Sequence, residues 1–85
     1  MEKIIAYKEY SPEKGMELIW EDGFEIKCHV EDGVITISAN KEGLISLANH
    51  LVNLAQDKVP AGNHIHLDEL NSLEDGSSEL VIKKK

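Results

Sequence analysis

The stretch from Asn40 to Gln56, NKEGLISLANHLVNLAQ, constrains this chain more than any other. Leu44, Leu47, Ala48, Leu51 and Ala55 recur at the i, i+3, i+4, i+7 spacing of a helix face, flanked by Ile45, Val52 and Leu54. Around a helical wheel these residues span an arc of roughly 180°, with Ser46, Asn49, His50, Asn53 and Gln56 opposite. Asn40 suits the N-cap, and Glu42 sits in the first turn, where the helix dipole favours negative charge. Gly43 weakens that turn without forbidding it. An apolar face this wide predicts a helix laid against a sheet.

The sheet is expected on both sides of the helix. Lys3–Tyr10 is β-prone, and the turn residues Ser11-Pro12-Glu13-Lys14-Gly15 end it. Met16–Trp20, Phe24–Val30 and Val34–Ala39 follow as strands, separated by Glu21-Asp22-Gly23 and Glu31-Asp32-Gly33. A two-residue turn at Asp32-Gly33 pairs Val30 with Ile35, Cys28 with Ile37 and Ile26 with Ala39, so every inward position is apolar. At the earlier turn that register would point Met16, Leu18 and Trp20 outward. A three-residue loop with Gly23 in the left-handed position instead pairs Trp20 with Phe24, Leu18 with Ile26 and Met16 with Cys28.

After the helix, Asp57–Asn63 is a break containing Pro60 and Gly62. His64–Asp68 reads as a short strand with Ile65 and Leu67 inward. Leu70–Ser78 reads as a loop, Glu79–Lys83 as a last strand, and Lys83-Lys84-Lys85 as a solvated tail. The expectation is one α+β domain over residues 1–85: a mainly antiparallel sheet, as a meander and then a C-terminal hairpin, with one long helix packed on one face.

Composition narrows the function classes. Sixteen acidic against nine basic residues give a formal charge of −7, which disfavours nucleic acid and anionic membranes and suits a basic protein partner. Cys28 is the only cysteine, so neither an intramolecular disulfide nor a thiolate zinc motif is available. The N-terminal apolar run is too short for a signal peptide and no segment reaches membrane-spanning length, so a cytoplasmic location is expected.

The sharpest polar constellation is His64-Ile65-His66-Leu67-Asp68. Alternation puts His64, His66 and Asp68 on one side of a strand, with successive members about 6.6 Å apart along it. Such a row admits three uses: the outer face of a half-exposed strand, a partner-binding surface, or two imidazoles and a carboxylate around a metal. Asp68 or Glu69 beside a histidine also has the form of an acid–base pair. Glu69, Glu74 and Asp75 extend the row into an acidic loop suited to lysines and arginines of a partner. His29 joins the row if its strand lies nearby, His50 falls on the helix's solvated side, and Trp20 and Cys28 read as core. No glycine-rich phosphate loop or nucleophile elbow is present, and no cofactor is implied.

The segments NKEGL (40–44), PAGNHIHLD (60–68) and LEDGSSELVI (73–82), joined through the leucine- and alanine-rich helix, resemble immunity protein 32 of bacterial polymorphic toxin systems. The resemblance covers about the C-terminal half, and residues 1–39 add little to it. It implies a cytoplasmic antidote, not an enzyme, that binds a cognate toxin and protects the producing cell; a basic nuclease is one such toxin class. It carries no contact residues of its own. On the residues alone, His64, His66, Asp68, Glu69, Glu74 and Asp75 are the candidate partner-binding set. The alternative is a metal-binding protein or small metalloenzyme built on His64, His66 and Asp68. A third possibility is an accessory domain that dimerises through an exposed strand edge.

Overall fold

A computed structural model describes residues 4–85. Its elements run in the order β1 (Ile26–Glu31), β2 (Val34–Ala39), α1 (Lys41–Ala55), β3 (His64–Leu67) and β4 (Leu80–Lys83). The mixed α+β class with antiparallel pairing is as expected, but the strands form two separate two-stranded sheets, β1–β2 and β3–β4.

The β1–β2 hairpin has the expected register, with Ile26 opposite Ala39, Cys28 opposite Ile37 and Val30 opposite Ile35. Asp32 (φ 50°) and Gly33 (φ 78°) supply the two left-handed residues that its two-residue turn requires. Only the base of its apolar face is covered. Ile26 and Cys28 are buried, whereas Val30, Ile35 and Ile37 are 49%, 66% and 41% exposed. The hairpin therefore projects beyond the helix, and the radius of gyration, 13.4 Å, exceeds the about 12 Å typical of a globular chain of this length.

Two expected strands are absent among the described residues. The first begins at Lys3, outside them, and from Ile4 to Tyr10 the chain joins no ladder. Met16–Trp20 is also unpaired with β1, because another segment occupies that edge: Glu74 N–H donates to the Ile26 carbonyl (2.9 Å) and Ser78 N–H to that of Cys28 (2.8 Å). The loop at Glu21–Gly23 keeps the expected left-handed Gly23 and the Trp20–Phe24 contact, but it closes as a turn from Glu21 to Phe24 and not as the expected three-residue hairpin loop. Gly23 has φ 79°, Phe24 N–H reaches the Glu21 carbonyl at 3.2 Å, and the Trp20 and Phe24 rings lie 4.5 Å apart.

The helix holds its expected place, with Asn40 as N-cap accepting from Gly43 N–H at 2.8 Å, but it is rotated about its axis. Its buried residues are Gly43, Ser46, Leu47, Asn49, His50, Asn53 and Leu54. Leu44 and Leu51 are exposed at 56% and 49%, so the polar side faces in and part of the apolar stripe faces out. The cause lies in the extended N-terminal segment, whose backbone has no strand to pair with. Asn49 accepts from Ile19 N–H (2.9 Å) and donates to the Ala6 carbonyl (2.7 Å). Gln56 does the same for Tyr10 N–H (2.8 Å) and the Lys8 carbonyl (3.2 Å). Ser46 accepts from Glu21 N–H (2.9 Å). Asn40 accepts from Glu25 N–H (3.0 Å) and donates to the Gly23 carbonyl (2.9 Å).

Magnitudes explain the choice. Leaving two leucines half exposed forgoes roughly 1 kcal/mol each. Each hydrogen bond contributes about 1 kcal/mol net, and a buried backbone group left without a partner costs about 1–3 kcal/mol. The four part-buried bonds among these, made by Ser46, Asn49 and Gln56, alone outweigh two half-exposed leucines.

The C-terminal lysines are not all a loose tail. Lys84 N–H bonds the Asn63 carbonyl (2.9 Å) and its carbonyl accepts from Gly62 N–H (2.9 Å). Its ammonium caps the helix end by donating to the Gln56 carbonyl at 2.6 Å.

Gly43 gives a direct test of the packing. A Cβ there would lie 2.5 Å from the Glu25 carbonyl oxygen and 2.9 Å from Ile26 Cγ1. Helix propensity alone would make Gly43→Ala stabilising by about 1 kcal/mol. Overpacking is expected to win, with a net loss of about 1–3 kcal/mol read as a lower urea midpoint. A raised midpoint would mean that α1 does not press on β1 in this way.

Candidate functional site

Strand β3 alternates as its sequence requires: Ile65 and Leu67 are 3% and 2% exposed, and His64 and His66 point out. In its register with β4, His64 faces Lys83 and His66 faces Val81; one step further, Asp68 comes opposite Glu79. Asp68 Oδ1 is committed to a turn, accepting from Leu70 N–H (2.9 Å) and Asn71 N–H (3.1 Å). Its Oδ2 lies 3.8 Å from His66 Nε2, and Glu79 Oε2 lies 3.6 Å from the same nitrogen. One imidazole thus stands between two carboxylates, with one ligand atom from each of the three residues within 4.8 Å of the others.

The expected row is therefore redistributed. His66 and Asp68 come together, Glu79 joins them, and His64 stands outside the cluster. Glu69 bends back to accept from Gly76 N–H at 2.9 Å. Glu74 and Asp75 border a separate depression beside Lys27 and Leu73. His29 lies in the other sheet, 3.3 Å from Glu31. Glu79 was recoverable in principle, because pairing the two last strands as a hairpin sets it across from Asp68.

A groove of about 590 Å³ runs alongside β3. One wall is His64–Leu67 with Asn71 and Ser72; the other is Met16, Leu18, Trp20 and Phe24. These four apolar residues are half-buried. Their period-2 spacing showed that they share a face, but not that the face meets β3. The side-chain bonds from Asn49 to Ile19 N–H and from Ser46 to Glu21 N–H fix this wall against the helix. Trp20, expected as core, forms part of the groove lining.

Behind Trp20 sits His50, its ring edge-on to the indole at a centroid distance of 4.2 Å. Expected in solvent, it is fully buried, and neither ring nitrogen has a hydrogen-bond partner among the described residues. Burial opposes its charged form and lowers its pKa to about 4. It acts as a neutral aromatic support for Trp20.

Chemically, the arrangement offers an apolar, aromatic floor with imidazoles and carboxylates along one rim. Tryptophan and other aromatic side chains of this kind are enriched where proteins meet. The family model described as Immunity protein 32 matches residues 34–85. The match includes β2, α1, β3, β4 and the His66–Asp68–Glu79 cluster, and leaves out Met16–Phe24. No curated protein and no solved structure matches the chain.

The buried His50 fixes a pH dependence. Its folded pKa of about 4 lies below the ordinary 6.5, so below pH 6.5 the unfolded chain binds a proton that the folded chain refuses. Its contribution is intact above pH 6.5 and is lost as pH falls toward 4, by on the order of 3 kcal/mol. His50→Phe keeps an aromatic ring under Trp20 and should flatten that limb of the urea-midpoint profile. An unchanged slope would assign the acid loss to other groups.

Proposed function

This chain belongs to the Immunity protein 32 family, and from that premise we propose that it neutralises a cognate toxin by binding it through the β3 groove. It acts in the cytoplasm by occupying the toxin domain, not by catalysing a reaction on it. The observation that carries this reading is the groove itself: Met16, Leu18, Trp20 and Phe24 facing the histidines of β3. The four supply contact area, with Trp20 as the anchor, and His64 and His66 supply polar contacts at the rim. Asp68 and Glu79, beside His66, add negative charge at that rim of a chain that already carries −7. This field favours a basic toxin surface and speeds its encounter.

The test is co-expression with the toxin domain encoded next door, scoring survival and co-purification as a one-to-one complex. Trp20→Ala is expected to weaken the complex by about 2 kcal/mol or more, the scale of an interface hot spot. Because Trp20 also covers His50, the exposed double variant His64→Ala, His66→Ala serves as the control for folding. Full affinity in both variants would place the contact elsewhere. Rescue by neither wild type nor variants would remove the immunity reading.

A second reading, metal binding, is favoured by one observation, the convergence of one ligand atom each from His66, Asp68 and Glu79 within 4.8 Å. These are zinc-compatible donors. On this reading Glu79→Gln and His66→Ala abolish zinc uptake in a calorimetric titration while His64→Ala retains it. Identical isotherms for all four proteins would sink it.

A further inference from the structure

We propose that the outer edge of β2 pairs antiparallel with the same edge of a second copy of this chain, centred on Thr36. The backbone direction follows from the opposite side of the hairpin. Ile26 and Cys28 turn their carbonyls away from β2, toward Glu74 and Ser78. Lys27, His29 and Glu31 must then make the ladder to Ser38, Thr36 and Val34. Ile35 and Ile37 consequently present their N–H and C=O groups outward, and among the described residues no strand pairs with that edge.

Natural edges are usually blunted by charge, proline or a bulge. This one has none of these: Val34-Ile35-Thr36-Ile37-Ser38-Ala39-Asn40 carries no charge and no proline in a chain with 25 charged residues. Val30, Ile35 and Ile37, which are exposed on the same face, are the side chains that an added strand would help to cover.

A second copy fits by symmetry. With a twofold axis through the Thr36 pair, Ile35 lies opposite Ile37 of the other copy at both ends. Each of these two pairs exchanges two main-chain bonds. Pairing stays within Val34–Ser38, clear of Asn40, where the chain turns into α1. The axis is perpendicular to the sheet, so the apolar faces of both hairpins lie on one side as a four-stranded floor. Because the hairpins project, the two bodies, each carrying −7, remain apart when the edges join.

Light scattering across protein concentration and ionic strength tests this. The mass is expected to rise from 9.5 kDa toward twice that value, and to rise further with salt, because screening relieves repulsion between like-charged copies. A groove contact with a basic toxin would weaken with salt instead, so the two surfaces are distinguishable. Ile35→Lys, at an exposed position, should hold the protein at the monomer mass. Thr36→Cys should cross-link across the axis, where opposed Cα atoms are about 4.5 Å apart. Val34→Cys should not, since its symmetry mate is four residues along, about 13 Å away. Cys28 is buried and does not compete. A 9.5 kDa species under all conditions, a dimer undiminished by Ile35→Lys, or equal cross-linking at 34 and 36 would each overturn the proposal.

Discussion

The structure depends on a row of amide and hydroxyl side chains along one side of α1. Asn40, Ser46, Asn49 and Gln56 hold the backbone of residues 6–25 through seven hydrogen bonds. They do for this segment what a neighbouring strand would do in a sheet. The row is also braced within the helix: Asn53 donates to the carbonyl and the side chain of Asn49, and Gln56 donates to those of Asn53. Each member has its partners, so the polar side can be buried without the penalty that an unsatisfied group would bring. His50 is the exception, and it remains neutral.

This explains what could be read from the residues and what could not. The N-cap at Asn40 and the turn at Asp32-Gly33 are local, set by a few neighbouring residues, and both agree with expectation. The alternation of β3 is equally local, and it correctly put the two histidines outside. The rotation of α1 is not local. Apolar periodicity locates a face on the assumption that polar side chains seek water, whereas Ser46, Asn49 and Gln56 bond a backbone far away in sequence. The expected strand at Met16–Trp20 is lost because residues 74–78 occupy the β1 edge, and helix side chains supply bonds that the ladder would have supplied. Lys84 follows the pattern, reaching Gln56 across 28 residues.

The site divides along the same line. His64, His66 and Asp68 were legible because strand alternation brings them to one face. Glu79 needed the β3–β4 register, and the groove needed the position of Met16–Phe24 relative to β3, which only the helix's polar row determines. The region matched by the Immunity protein 32 model begins at Val34. One wall of the groove therefore lies inside the matched region and the other outside it, while the row on α1 that positions the outer wall lies inside.

That arrangement has an evolutionary side. A segment held by its main chain depends less on the identity of its own side chains, provided that the bonded positions, such as 19, 21 and 25, keep an N–H. Met16, Leu18 and Phe24 could be exchanged for other apolar residues that still pack on the core, while the bonds that position the segment stayed in place. The helix then behaves as a socket and the N-terminal stretch as an interchangeable cartridge. New recognition surfaces could be tried on this scaffold with little disturbance to the element that carries them.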